Sequence, residues 1–426
     1  MQSEIALNVQ QSIRPGECFD SYYASKENSG LQCHATVEDN RFFQGLQSLG
    51  SGSSSTITFN PNEGLGEVIV TITLPQPSGS GGVGLAVPLG WGYNILRRIG
   101  YRYGSSQLYY ITGAQNLIQT LSLCEDSGKK QQMLYLGGQA LTSPADWADA
   151  AKRTAYVYLR LPHSSPALSG GALPFPTDVL TAPVQLQIDL ADFTSVISAV
   201  TGADPVPSAL TYGSVNFTQI TMQDSANLVA RRFDMSKHAL TIPLPEGWTQ
   251  EEVQFPFTSA SSDGSFSLSL TGCKAGDLKK LRIWFTKATD TSGQVKNGGI
   301  YYPPASIRFA INGLIYLDSQ SGSFLLTNVI RRRTPPSVTA TQLASAAPPA
   351  YTASPVASTW VEVELGQPRA VGDTGEVVLV HGVPVMNSVL SLTGNMADLN
   401  TQFTCHVEYV LNCSWMASRG SAEFVF

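Results

Sequence analysis

Between residues 93 and 138 the hydrophobic period of this chain changes, and the rest of the fold is organised around that change. Ile95, Arg97, Ile99, Tyr101 and Tyr103 alternate with Leu96, Arg98, Gly100 and Arg102. Gly104-Ser105-Ser106 interrupts the run, and Leu108, Tyr109, Tyr110 and Ile111 resume it. Successive side chains on a strand point to opposite faces, so period-two alternation around a short Gly/Ser break predicts a β-hairpin. From Ala114 the spacing becomes helical, with Leu117, Ile118, Leu121 and Cys124 on one stripe. Met133, Leu134 and Leu136 carry the helical stretch past Gly128, and Gly137-Gly138 ends it.

Short alternating runs recur on both sides of this segment. Residues 56–59 and 67–74 read as strands, the second with Val68, Val70, Ile72 and Leu74 on one face. Ser143 and Pro144 look like the N-cap and first position of a second short helix. In 154–161, Ala155, Val157 and Leu159 alternate with Tyr156, Tyr158 and Arg160. In 184–190, Val184, Leu186, Ile188 and Leu190 share a face. Residues 214–222 are another strand, and 225–233 a short helical segment.

The pattern then restarts. Residues 239–244, 253–257 and 265–270 read as short strands, and 280–286 as one with Leu281, Ile283 and Phe285 on a face. Residues 306–317 form a second hairpin about Asn312-Gly313, a pair suited to the positive φ angles of a type I′ turn. A Pro/Ala/Ser/Thr-rich loop at 334–358 precedes strands at 360–365, 376–380, 388–392, 403–411 and 422–426. Two successive sets of about eight strands predict two β-sandwiches in tandem. The two hairpins stand roughly 210 residues apart at comparable places in each half, a hint of duplication.

A chain of 426 residues has room for two domains of roughly 200. We expect a terminal arm at 1–15, a first unit at 16–235 and a second at 236–426. Charged residues make up 14%, against about 25% in a typical soluble domain. So little charge implies that much of the surface faces other subunits. The net charge of −6 argues against a nucleic-acid binder. Arg331-Arg332-Arg333 reads as a solvated loop beside Pro335-Pro336, with contact to an anionic partner as the alternative. Residues 1–14 lack the basic start and apolar core of a signal peptide, and no apolar run approaches the ~20 residues of a membrane span. Cys18, Cys33, Cys124, Cys273, Cys405 and Cys413 show no CxxC spacing and read as reduced and mostly buried, with a Cys405–Cys413 bridge as the alternative.

Catalytic signatures are absent from the sequence. Residues 79–84, Gly-Ser-Gly-Gly-Val-Gly, match GxGxxG, but Pro75, Pro77 and Pro88 stand where the dinucleotide fingerprint needs strand, tight turn and helix. His34, His163, His238, His381 and His406 lack metal-ligand spacing. In Cys33-His34 and Cys405-His406, adjacent residues on a strand would face opposite ways. There is no GxSxG or P-loop. Glu251-Glu252 and Asp277 read as solvated strand ends, and the sequon at Asn216 lies in a predicted strand. Trp91, Tyr101, Tyr103, Tyr109, Tyr110, Tyr301, Tyr302 and Trp360 either fill cores and subunit contacts or form a sugar-stacking platform.

The order of segments resembles the double jelly-roll major capsid proteins of icosahedral DNA viruses. Gly92-Tyr93-Asn94-Ile95-Leu96-Arg97-Arg98-Ile99, with residues 101–107, resembles the family's first-roll hairpin. Leu173-Pro174-Phe175 before 184–190 is similar to its proline-bearing approach to a late strand. Residues 214–222 and then 225–233, with Arg232-Phe233, resemble the last first-roll strand and the basic segment after it. Leu278-Lys279-Lys280-Leu281-Arg282-Ile283-Trp284-Phe285 resembles a strand with a central Trp, although Gly276-Asp277 replaces the usual proline. Phe309-Ala310-Ile311-Asn312-Gly313 resembles the family's Asn-Gly hairpin. Residues 387–392 and 409–426, with Asn412, Ser418-Arg419-Gly420 and Ala422, are similar to its closing strands.

The resemblance implies an all-β chain of two tandem eight-stranded jelly rolls with short helical insertions. It implies a structural role with no catalytic, cofactor or metal site. Three chains would form a homotrimer of six rolls, a pseudo-hexagonal capsomer that meets neighbouring capsomers in a virion shell assembled inside the host cell. Penton and minor cement proteins, or an internal membrane, would meet the inner face, near residues 1–14. Residues 141–176 and 334–358 would form towers or trimer contacts, and no sequence-specific nucleic-acid binding is implied. The rival reading is a two-domain jelly-roll carbohydrate-binding protein or glycan hydrolase. A cupin-like metalloenzyme is disfavoured by the histidine spacing.

Overall fold

Residues 184–190 show how the sequence pattern becomes a sheet. Val184, Leu186, Ile188 and Leu190 are buried while the residues between them are half-buried. A strand of this kind needs a second sheet to cover its apolar face. The computed structural model describes residues 37–59, 64–103, 109–123, 127–160, 175–176, 182–199, 202–222, 240–256, 264–273, 276–287, 304–319, 361–365, 367–371, 376–380, 382–396, 402–418 and 421–425.

In chain order the first unit contains β1 (Val37–Gly45), β2 (Ser54–Phe59), β3 (Gly64–Thr73), β4 (Leu85–Ala86), α1 (Trp91–Ile95), β5 (Leu96–Tyr103), β6 (Tyr109–Thr112), α2 (Gly113–Leu123), α3 (Ser127–Leu136), α4 (Pro144–Ala148), β7 (Thr154–Leu159), β8 (Phe175–Pro176), β9 (Val184–Leu190), α5 (Phe193–Val196), β10 (Ser198–Ala199) and β11 (Tyr212–Met222). The second contains β12 (Leu240–Pro256), β13 (Ser265–Leu270), β14 (Asp277–Lys287), β15 (Ser306–Ile311), β16 (Leu314–Ser319), β17 (Val361–Glu364), β18 (Gln367–Val371), β19 (Glu376–Val380), β20 (Val383–Pro384), β21 (Leu390–Asn395), β22 (Gln402–Ser418) and β23 (Ser421–Val425).

Both units have one topology. The first pairs its sheets as β1-β11-β3-β7 and β2-β9-β5-β6, and the second as β12-β22-β14-β17 and β13-β21-β15-β16. Counted along each unit, with the short and accessory strands set aside, both read first-eighth-third-sixth against second-seventh-fourth-fifth. This is the order of an eight-stranded jelly roll. The predicted hairpins are β5–β6 and β15–β16, the fourth and fifth strands of their rolls. Each roll encloses its own core. Val68, Val70, Ile72, Leu186 and Ile188 lie in the first, and Leu268, Ile283, Phe309, Leu392 and Val407 in the second.

Several expectations change in detail. Tyr93 and Ile95 belong to a helical turn rather than a strand, and a register shift between Leu96 and Arg98 leaves Arg97 and Arg98 both exposed. The strands expected at 239–244 and 253–257 are one strand, β12. A bulge between Leu244 and Gly247 absorbs Pro245, and β12 occupies a sheet edge, where prolines are tolerated. Glu251 and Glu252 therefore lie within a strand rather than at its end. The strand at 376–380 pairs with β18 in a separate ribbon. Residues 141–176 are not one insertion, because β7 lies within them. The terminal arm, the 225–233 segment, the arginine run and the 334–358 loop lie outside the described residues.

A candidate assembly site between the two rolls

The helix α2 is the element on which the two rolls meet. It starts directly from the hairpin: Thr112 closes β6, and its hydroxyl accepts from the Gln115 amide at 3.2 Å, an N-cap contact. Gly113 permits this tight turn, since a Cβ there would collide with the carbonyl oxygens of Tyr93 and Leu96. Leu117 and Ile118 enter the first core, as the sequence spacing predicts. The opposite side of α2 is also buried, although it is polar: Gln115, Asn116, Gln119 and Thr120. Asn116 acts as a substitute backbone for β7, donating to the Tyr158 carbonyl and accepting from the Arg160 amide, both at 2.9 Å.

The second roll supplies the other wall. On β14, Leu281, Ile283 and Phe285 point into the second core, and on β22 so do Cys405, Val407 and Tyr409. Alternation sends Arg282, Trp284, His406 and Glu408 to the outer face. Register places Arg282 beside both Glu408 and Glu362, and Trp284 beside His406. Arg282 donates from Nη1 to Glu408 at 2.9 Å and from Nε to Glu362 at 3.1 Å. Trp284 and His406 stack with ring centroids 5.3 Å apart.

The two walls are joined by Glu408. Gln115 Nε2 donates to its Oε1 at 3.0 Å, and Gln119 Nε2 donates to the same oxygen. Trp284, a second-roll residue, packs into the first-roll core cluster. The strand β23 also lies beside β5. A buried carboxylate is costly unless it is paired and hydrogen-bonded, and here both oxygens receive donors. What it does is fix one roll against the other in a single register.

The other residues singled out in the sequence serve packing. Gly79, Gly81, Gly82 and Gly84 have positive φ, and their loop forms an amide cradle. The cradle is filled by Asp204, which accepts from the amides of Ser80, Gly82 and Val83 at 3.0, 2.6 and 2.9 Å. These amides, Ser80 foremost, hold the Asp204 carboxyl below the usual carboxylate range. Trp91, Tyr101 and Tyr103 are buried, Tyr109 packs against the core, and Tyr110 lies under the Arg98 guanidinium at 3.6 Å. Asn216 donates to Thr71 Oγ1 at 3.2 Å. Cys405 is a buried thiol. Cys405 and Cys413 both lie on β22, and eight residues of strand separate them by about 26 Å, far beyond disulfide reach. No group of three or more metal-ligating side chains occurs among the described residues. Four histidines, Cys18, Cys33 and Cys124, and Tyr301, Tyr302 and Trp360 lie outside the described residues.

The polar face of α2 went unnoticed in the sequence, although a signal is there. Residues 113–123, Gly-Ala-Gln-Asn-Leu-Ile-Gln-Thr-Leu-Ser-Leu, contain no charge. A helix without a charged face is seldom a surface helix.

Tandem rolls of identical strand order, locked through a buried seam, define the double jelly-roll fold, and solved structures bear this out. The chain superposes on PBCV-1 VP54, fitted into a cryo-EM reconstruction of the virophage Sputnik, with a TM-score of 0.59 and 12% identity, over 92% of this chain and 97% of that one. It superposes on the Faustovirus major capsid protein with a TM-score of 0.58 and 7% identity, over 100% of this chain and 97% of that one. The Sputnik virophage structure determined by cryo-EM matches with a TM-score of 0.53 and 11% identity, over 92% of this chain and 89% of that one. At these identities the likeness is one of fold. No protein-family model and no curated protein matches the chain.

Proposed function

We propose that this chain is a major capsid protein, with the first roll at 16–235 and the second at 236–426. The observation that carries the reading is the rigid side-by-side pairing of two identical topologies through Glu408, over a length that matches known capsid proteins nearly end to end. Three chains would then present six similar rolls, a pseudo-hexagonal trimer that tiles a virion shell through heterologous edges. The role is structural rather than catalytic, with penton, cement or membrane partners at the inner face. The low charge supports it, because neutral surface is less costly to bury between subunits. No helix among the described residues is long and apolar enough to cross a membrane. Light scattering and negative-stain imaging of the native protein test the proposal. A mass of three times 45.6 kDa and a hexagonal outline are expected, and a stable monomer at high concentration would overturn it.

A further inference from the structure

A strand at the edge of a sheet presents a row of unpaired N–H and C=O groups, and native proteins shield such a row with charge, proline, a bulge, short length or a cover. In the first roll the strand orders place β1 and β7 at the edges of one sheet and β2 and β6 at the edges of the other. Three of these edges are shielded. β1 carries Glu38, Asp39 and Arg41. β7 is covered by Asn116, which bonds to the Tyr158 carbonyl and the Arg160 amide. β6 is only four residues long. β2 has none of these devices. Its sequence, Ser54-Ser55-Thr56-Ile57-Thr58-Phe59, contains no charge, proline or glycine, and it pairs with β9 without a register shift. The Leu190 amide donates to the Ser53 carbonyl, which sets the alternation along β2: the N–H and C=O groups of Ser54, Thr56 and Thr58 point away from β9. The side chains of the same three residues are exposed. Among the described residues no strand pairs with this side of β2.

We infer that residues 4–10 of the same chain add a strand to the open edge of β2. The occupant follows from where the chain enters the roll. β1 and β2 are edge strands of facing sheets, joined by residues 46–53. Phe59 of β2 packs edge-on against Phe217 of β11, and Phe217 pairs with Phe42 of β1. Phe59 is therefore level with Phe42, and Val37, where β1 begins, lies about 17 Å beyond the Phe59 end of β2. Residues 11–36, at about 3.3 Å each when extended, are more than long enough to return from Val37 to that edge. The segment itself has the period of a strand: Ile5, Leu7 and Val9 alternate with Glu4, Ala6, Asn8 and Gln10. Its apolar row continues the buried row of Ile57 and Phe59, and its other row continues that of Ser54, Thr56 and Thr58. Main-chain hydrogen bonds supply the affinity in such strand addition. Glu4 then places on the new edge the charge that β2 lacks. The inference does not depend on the capsid reading.

The test uses the full-length protein in two forms. In the first, a photo-crosslinking benzoyl-phenylalanine replaces the exposed Thr56 in a mixture of isotopically light and heavy chains. Its crosslinks are expected within residues 1–15 of the same chain. In the second, Ala6→Pro with Leu7→Pro removes ladder donors from the added strand in either register. Amide exchange at Thr56 and Thr58 is expected to be slow in the unmodified protein and at least about tenfold faster in the double-proline form, with the amides of β9 and β5 unchanged. Crosslinks to residues 1–15 of another chain only would show an exchanged arm and overturn the same-chain pairing. The second-roll counterpart of β2 is β13, which repeats its alternation as Ser-Phe-Ser-Leu-Ser-Leu. Crosslinks to β2 or β13 of another chain would assign edge-to-edge pairing of copies instead. An absence of crosslinks to residues 1–15, or equal exchange in the two forms, overturns the arm as the occupant. Each of these results leaves the capsid reading standing, since the mass of the native protein tests that separately.

Discussion

Gln115 on the first roll donates a 3.0 Å hydrogen bond to Glu408 on the second, and both side chains are fully buried. Local sequence cannot place either residue, because they stand 293 positions apart. Their meeting gives the buried polar face of α2 and the outer face of β14 and β22 hydrogen bonds to one another. The side-chain amides of α2 provide donors, Arg282 provides the countercharge, and Glu362 accepts from the Arg282 Nε. A seam of this kind gives less adhesion than an apolar one of equal area, but it accepts only one alignment.

Arg282→Met should be strongly destabilising. Removing one partner leaves Glu408 charged and buried, at a cost of about 3–5 kcal/mol. Arg282→Met combined with Glu408→Leu removes both charges and should recover most of that loss. Urea unfolding followed by tryptophan fluorescence gives the comparison. Equal midpoints for the single and double variants would show that the pair is not coupled.

Trp284→Ala should weaken both rolls, not only its own. The indole leaves β14 and packs in the first-roll core, and truncating a buried Trp costs about 3–5 kcal/mol. Hydrogen exchange is the readout: amides of β5 and β7 should exchange faster along with those of β14. A change confined to residues 240–425 would count against Trp284 as a tie between the rolls.

The parts of the fold legible in the sequence are those whose cause is local. Val184, Leu186, Ile188 and Leu190 alternate because their strand has one core face. Asn312 and Gly313 take φ of 50° and 81°, as the turn demands. Ser143 and Asp146 form the capping box that opens α4. What was illegible has a distant cause. In β1 the adjacent Phe42 and Phe43 break the alternation by which a strand is read. The 17-residue length of β12 depends on its edge position and its bulge against β22. The seam is harder still. Arg282, Glu408 and the glutamines of α2 read singly as solvated polar residues, and only the apposition of the two rolls makes them a cluster.

Gly92→Ala should destabilise the first roll. A Cβ at this position would come within 2.7 Å of Ala155 Cβ, 2.7 Å of the Gly137 carbonyl oxygen and 2.8 Å of Val157 Cγ2. Two of these neighbours are on β7, which is held in the sheet by β3, so little can give way. Overpacking of this kind costs about 1–3 kcal/mol. A lower thermal midpoint is expected, and an unchanged one would mean that α1 can shift away from β7.

Acid should loosen the loops that tie down the first roll. Asp146 is held well below the usual carboxylate range, chiefly by Lys152, whose ammonium lies 2.6 Å away, and then by Ser143. Asp192 is lowered by the hydroxyl and amide of Thr194, and Asp204 by the amides of the glycine loop. The sign follows from proton binding. Each folded value lies below the unfolded one, so the native state binds fewer protons and gains stability above the unfolded pKa. That gain is fully present above about pH 5 and is lost progressively as the pH falls through about 4 toward the folded values. Thermal midpoints measured from pH 7 down to 3 should therefore drop on the acid side. Asp146→Asn with Asp204→Asn should be less stable at pH 7 and show a flatter acid limb. A variant whose acid limb stays as steep as that of the unmodified protein would assign the acid sensitivity to other carboxylates.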